Sequence, residues 1–171
     1  MKPHNSNKGF SLIELLIVVT VIGIIAAIAV PNLLSARRAA NEASALSTMR
    51  IIVSGEYTYR ATAGGGNYGD FASLADVNLV DARVGAATIA GPGTPKSGFL
   101  YSAASVNGVG IPAFDAQAQP SLHTSASSLF GTGTRSFYVN ETGKIYFNTT
   151  DTAPTGLADP TRAVSDGTLL N

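Results

Sequence analysis

The sequence predicts an α+β fold in which one long N-terminal helix packs on a small antiparallel β-sheet. Three observations lead to this prediction: an apolar run over residues 10–30, an amphipathic pattern that follows it to residue 63, and a hairpin signal over residues 135–148. Helical and strand periodicities each place apolar side chains on one face, so these segments set the fold class.

The apolar run carries a single charge, Glu14. A helix of roughly 20 apolar residues is long enough to cross the hydrocarbon of a bilayer. In lipid, a single isolated segment can satisfy its backbone hydrogen bonds only as a helix. A carboxylate at that depth costs about 3 kcal/mol on insertion scales. The sequence therefore predicts a membrane helix over residues 10–31 in which Glu14 needs a partner.

The residues around the start of this run, Lys8-Gly9-Phe10-Ser11-Leu12-Ile13-Glu14-Leu15, resemble the prepilin cleavage motif of type IV pilins and of the pseudopilins of type II secretion. The resemblance implies that a prepilin peptidase cuts between Gly9 and Phe10, which makes residues 1–9 a leader peptide, and that the new Phe10 amine is N-methylated. It also implies a single-pass protein of the inner membrane that an ATPase-driven machine then assembles into a helical surface filament, or into a periplasmic pseudopilus.

Cleavage would leave a cationic Phe10 amine one helical turn before Glu14. Opposite charges at that spacing attract strongly in a medium of low dielectric constant. The resemblance favours a salt bridge between neighbouring subunits, and the residues alone equally allow a pair within one chain.

Gly23 and Pro31 bracket a stretch of the run where the helix is expected to be weak. Glycine lowers helix stability, and proline removes one N–H and clashes with the preceding turn. The resemblance implies that this stretch melts in the assembled filament, whereas a gentle kink in a continuous helix is the alternative for the subunit in the bilayer.

Residues 32–63 form the amphipathic half of the helix, with Leu46, Met49, Val53 and Tyr57 spaced three and four residues apart on one face. The glycines at 64–66 end it. No aromatic residue lies between Phe10 and Tyr57, which disfavours a conductive filament with aromatic side chains stacked along its core.

Residues 64–171 are predicted to form a globular β head with loops, referred to below as the head. We expect a short helical piece at Asp70–Ala75, a strand at Ser97–Ser102, loops over 103–134 and a polar tail without regular structure over 149–171. The hairpin pairs Ser136–Val139 with Lys144–Phe147 around a turn that ends in Gly. A sheet this small needs a cover on one face, and the amphipathic half of the helix is expected to supply it.

Composition and motifs exclude several functions. The 171 residues have a formal net charge of zero and only 13% charged residues, which argues against nucleic-acid binding through a basic face. No Cys is present, and no catalytic constellation surrounds His123, so we expect neither an enzyme nor a cofactor. The weak candidates for calcium ligands are Asp151, Asp159 and Asp166, whose spacing matches no tight binding loop.

The function that the resemblance implies is therefore structural. We expect a type IV pilin that forms a homo-oligomeric helical filament after a stage in the inner-membrane lipid. The alternative is the major pseudopilin of a type II secretion system, which the lack of a C-terminal disulfide also suits.

Overall fold

The computed structural model describes residues 9–89, 93–107, 111–123, 130–154, 164 and 166–170. The chain divides into two units, Met1–Ala36 and Arg37–Asn171, which are treated separately below. The described residues form three helices and five strands, which confirms the α+β class: α1 (Leu12–Ala61), α2 (Phe71–Asp76), α3 (Ala82–Ala86), β1 (Phe99–Val106), β2 (Ala113–Pro120), β3 (Ser136–Asn140), β4 (Ile145–Asn148) and β5 (Thr168–Leu169).

The first unit contains the apolar part of α1, in which the large side chains from Leu12 to Leu33 are about half exposed or more. By length and composition, α1 is the one helix in the described part of the chain that could cross a membrane. Its most apolar stretch has a mean hydropathy of 2.9, and none of it is buried among the described residues. Apolar surface on this scale requires a covering of lipid or of other protein.

In the second unit, α1 buries a face that is rotated from the predicted one. The expected Met49 is fully buried, but Leu46 and Val53 lie at the border of the core and Tyr57 is 43% exposed. The centre of the buried face is the set Glu42, Ala45, Thr48, Met49, Ile52, Gly55 and Glu56. Its three- and four-residue spacing is that of one helical face, and two of its members are carboxylates.

The five strands form an antiparallel sheet in the order β1-β2-β3-β4-β5. The predicted hairpin is confirmed, with Tyr138 opposite Tyr146 and Val139 opposite Ile145. Its turn places Gly143 at φ 72°, a conformation that favours glycine. One face of the sheet packs on the buried face of α1 in a single core, to which the largest contributions come from Phe99, Tyr101, Phe114 and Phe137.

Several predictions for the head need correction. The strand expected at Ser97–Ser102 is Phe99–Val106, and the region expected to be loop contains β2, which pairs along its whole length with β1. The tail contains the short strand β5. The expected helical piece is confirmed as α2, which Asp70 caps by accepting a hydrogen bond from the Ser73 N–H. The second short helix, α3, was not predicted.

Candidate processing and assembly segment

The junction between Gly9 and Phe10 lies in non-helical backbone just before α1 begins. Phe10 is 78% exposed, and a Cβ built on Gly9 would meet no heavy atom within 4 Å beyond its chain neighbours. The peptide bond that the motif marks for cleavage is therefore uncovered on the side that the structure describes. Residues 1–8 of the expected leader lie outside the described residues.

Glu14 is engaged within its own chain at the start of α1. The Ser11 N–H donates a hydrogen bond to Glu14 Oε2 at 3.1 Å. Ser11 precedes the first helical residue and Glu14 is the third, so Ser-x-x-Glu occupies the positions of a capping box. The Ser-x-x-Glu spacing is the local sequence signal for this cap. The nitrogen of Phe10 is a peptide nitrogen in the unprocessed chain, so the salt bridge to Glu14 stays a prediction for the processed one.

Gly23 and Pro31 both lie inside α1, which continues through them. A Cβ built on Gly23 would meet no heavy atom within 4 Å, leaving aside the helix's own nearby backbone, so no neighbour in the subunit requires glycine there. Local melting of the helix between Gly23 and Pro31 is expected in the assembled filament and not in the single subunit, so it stays a prediction.

Glu42 joins α1 to the start of β3 and was not expected to be buried. Its Oε1 accepts hydrogen bonds from the N–H and the hydroxyl of Thr134, both at 2.7 Å, and its Oε2 accepts one from Arg135 Nε at 2.8 Å. Burial raises the pKa of Glu42, but these hydrogen bonds and the charge of Arg135 outweigh burial and hold the pKa below its ordinary value of 4.5. The ionised form of Glu42 is therefore the form that the fold stabilises.

Glu56, four turns further along α1, has the opposite environment. It is fully buried, its Oε2 accepts a hydrogen bond from the Gly69 N–H at 2.9 Å, and its Oε1 has no hydrogen-bond partner among the described residues. Burial raises the pKa of Glu56 to about 7, against the Gly69 hydrogen bond and with a further rise from the Asp70 charge. This carboxyl group favours its protonated form.

We expect Glu56→Gln to stabilise the protein above pH 7 by about 3 kcal/mol, at about 1.36 kcal/mol per pKa unit. Folded Glu56 keeps its proton up to about pH 7, whereas the unfolded side chain loses it near 4.5. Stability from this group is therefore complete below pH 4.5 and falls as pH rises to 7. Gln stays neutral throughout and can still accept the Gly69 hydrogen bond.

The check is thermal unfolding of the full chain in detergent at pH 4 and pH 8, followed by near-ultraviolet circular dichroism of the buried tyrosines. Asp151→Asn, which removes an exposed carboxylate, is the matched control and should leave the melting temperature unchanged at both pH values. A stabilisation of equal size at both pH values would contradict the assigned protonation.

The remaining candidates belong to the second unit. Asp151 follows β4 and Asp166 precedes β5, both exposed, and Asp159 lies outside the described residues. Within the described ranges no group of three or more His, Asp or Glu side chains could hold a metal ion. The Nε2 atom of His123 lies 3.2 Å from the Thr134 carbonyl oxygen, a contact between the residues that follow β2 and those that precede β3.

Comparison with known proteins points to the same N-terminal segment. Residues 4–30 match the family description "Prokaryotic N-terminal methylation motif". The chain is 63% identical over 35 residues to the type IV wide pilus major component PilA4 of Thermus thermophilus, a match that covers 20% of this chain and 27% of that protein. It is 36% identical over 67 residues to the type IV major pilin protein PilA of Myxococcus xanthus, covering 39% of this chain and 30% of that protein.

These matches span less than a third of the length of either relative. No solved structure is significantly similar to the chain. The family match covers the cleavage motif and most of the apolar run.

Proposed function

We propose that this chain is a type IV pilin subunit that is cleaved before Phe10, methylated there and polymerised into a helical filament. Its methylation motif and its partial similarity to two type IV pilins support the proposal. The observation that carries the proposal is an open Gly9–Phe10 junction directly before the apolar, uncovered part of α1, which holds one carboxylate, that of Glu14. Neither a soluble enzyme nor a plain membrane anchor needs that combination.

The apolar part of α1 is proposed to have two successive environments. Before assembly it lies in the inner membrane, with the N-terminus on the cytoplasmic side where the peptidase acts. After assembly the same side chains pack on neighbouring copies in the filament core. Head-to-tail contacts between identical subunits produce an open fibre when the rotation between them does not close.

The exchange of lipid for protein contacts is nearly balanced for apolar side chains, because lipid tails are as apolar as the side chains themselves. Net assembly therefore requires another contribution. We assign part of it to the ion pair between Glu14 of one subunit and the Phe10 amine of the next, and part to the assembly ATPase.

The processing step is tested by mass spectrometry of the membrane and surface fractions of a producing cell. We expect a mature chain that begins at Phe10 and is heavier by one methyl group. Gly9→Val should leave the leader attached and the surface free of filaments, because a branched side chain then occupies the cleavage position. Gly23→Ala, which adds only a methyl group in open space, is the control and should be processed normally.

A mature chain that starts at any other residue would contradict the proposal. Correct processing without surface filaments, with the protein confined to short periplasmic fibres, would identify the pseudopilin instead.

A further inference from the structure

A groove of about 300 Å³ lies between α1 and the β4–β5 edge of the sheet. Two cationic side chains line it, Arg50 from α1 and Lys144 from the β3–β4 turn, and both residues are exposed. Its apolar lining comes from Ile145, Leu169 and Leu170. Neither cation takes part in an ion pair among the described residues. The groove thus combines unpaired positive charge with apolar surface.

A turn with the complementary character follows α2. Asp76 and Val77 are exposed, and Val77 is an apolar side chain with 41% of its surface open. The Asn78 N–H donates to the Ala75 carbonyl and the Leu79 N–H donates to the Leu74 carbonyl, both at 2.9 Å, while Asn78 has φ 58°. These bonds hold the turn in one conformation, so it loses little entropy on docking.

The groove and the turn lie on opposite flanks of α1. A Cβ on Gly143 would approach Val53 Cγ1 at 3.9 Å, so the β3–β4 turn lies beside residue 53. A Cβ on Gly55 would approach Val80 Cγ2 at 3.3 Å and the Leu79 carbonyl at 3.4 Å. Residues 53 and 55 are about 200° apart around a helix. One molecule therefore cannot bring its own turn into its own groove.

Charge separates the two surfaces in the same way. Asp70 caps α2 and Asp81 pairs with Lys96 at 3.7 Å. The carboxylate that the turn presents is therefore that of Asp76, whereas the groove presents Arg50 and Lys144. Complementary patches on different sides of one chain are the requirement for a heterologous contact, which repeats along a fibre.

We infer that the Asp76–Val77 turn of one copy docks into the Arg50/Lys144 groove of a second copy, with the Asp76 carboxylate on the two cations and Val77 on the leucines. This contact rests on the proposed function, since it would link successive heads in the filament. The charged groups set the register between subunits, and the packing of Val77 on Leu169 and Leu170 buries apolar surface.

The contact is tested by cross-linking. Because the chain has no cysteine of its own, only the introduced thiols can react. Cells that produce filaments would carry Asp76→Cys, Lys144→Cys, or both in one chain, and would be treated with a short bis-maleimide. We expect a ladder of covalent oligomers from the double variant and only monomers from either single variant. Asp151→Cys combined with Lys144→Cys is the matched control and should remain monomeric. A double variant that stays monomeric within intact filaments would overturn the inference.

Charge exchange gives an independent readout. Asp76→Lys is expected to reduce the yield of sheared filaments severalfold, and adding Lys144→Glu in the same chain should restore it, which a folding defect could not do. Single variants that keep the full yield, or a double variant without recovery, would contradict the contact. Absence of filaments from the unmodified chain would instead contradict the proposed function itself.

Discussion

We expect Glu14→Ala to abolish filament assembly while leaving membrane insertion intact. Removing a carboxylate makes the apolar segment easier to insert, so the subunit should still fractionate with the membrane. In the filament, however, the Phe10 amine of the neighbouring chain would be left buried without its partner. Breaking such a pair costs about 3–5 kcal/mol, which is more than a hundredfold in each subunit's association constant.

Two further variants separate the charge of Glu14 from its role as a helix cap. Glu14→Gln keeps a group that can accept the Ser11 N–H, as a capping box allows, but removes the charge, so it should also fail to assemble. Ser11→Ala removes the serine cap and leaves the charge, so its filaments should be close to normal. Membrane fractionation and electron microscopy of sheared surface material measure both steps. Normal filaments from Glu14→Gln would show that the charge is not what recruits the next subunit.

Glu42→Ala is expected to destabilise the second unit by about 3 kcal/mol, or roughly 10 °C in melting temperature. The substitution leaves the Thr134 N–H and hydroxyl without an acceptor and removes the carboxylate that pairs with Arg135, whose side chain is 35% exposed. Donors that lose their acceptor at a partly buried position are costly, because water replaces the lost hydrogen bond only in part. Thermal unfolding in detergent, followed through the buried tyrosines, gives the value.

The same carboxylate predicts a loss of stability in acid. Because the pKa of folded Glu42 lies below its ordinary value of 4.5, its contribution is complete above that pH and disappears as pH falls through the lowered pKa. Glu42→Ala should therefore lose less stability than the unmodified protein between pH 5 and about pH 2. Asp151→Ala, at an exposed position, is the control. Parallel pH profiles for Glu42→Ala and the unmodified protein would contradict this assignment.

Elements with strong local signals could be predicted from the sequence. The β3–β4 hairpin has aromatic and β-branched residues on both sides of a turn whose glycine adopts φ 72°, and short-range chemistry fixes such a turn. The course of α1 was equally clear, because an apolar run and an amphipathic pattern join without a breaker other than Pro31. The capping box at Ser11 and Glu14 is equally local, because its two residues lie three positions apart in the chain.

Strand β2 shows why local signals fail elsewhere. Its apolar residues Phe114, Ala116 and Ala118 alternate with the polar residues Asp115 and Gln117, which is a strand period, although Asp115 is itself buried. Alanine, however, has little preference for strands. Its full-length pairing with β1 supplies what the side chains lack. Strand β5, with two residues, exists only because β4 offers an edge.

The buried face of α1 was likewise decided by tertiary packing. A pattern of apolar residues pointed to Leu46, Val53 and Tyr57, but the sheet packs closer to Ala45 and Ile52, where small and branched side chains fit against its aromatic residues. That rotation also carries Glu42 and Glu56 into the interior.

The sequence by itself determined the cleavage motif, the lone carboxylate in an apolar helix, the hairpin and the α+β class, because each depends on residues close together in the chain. Only the tertiary structure decided which carboxylates of α1 are buried and in which protonation state. Burial, hydrogen bonding and charge at Glu42 and Glu56 come from residues distant in sequence or from turns that fold against the helix. A local pattern cannot specify those partners, since it is the packing of the head on α1 that brings them together.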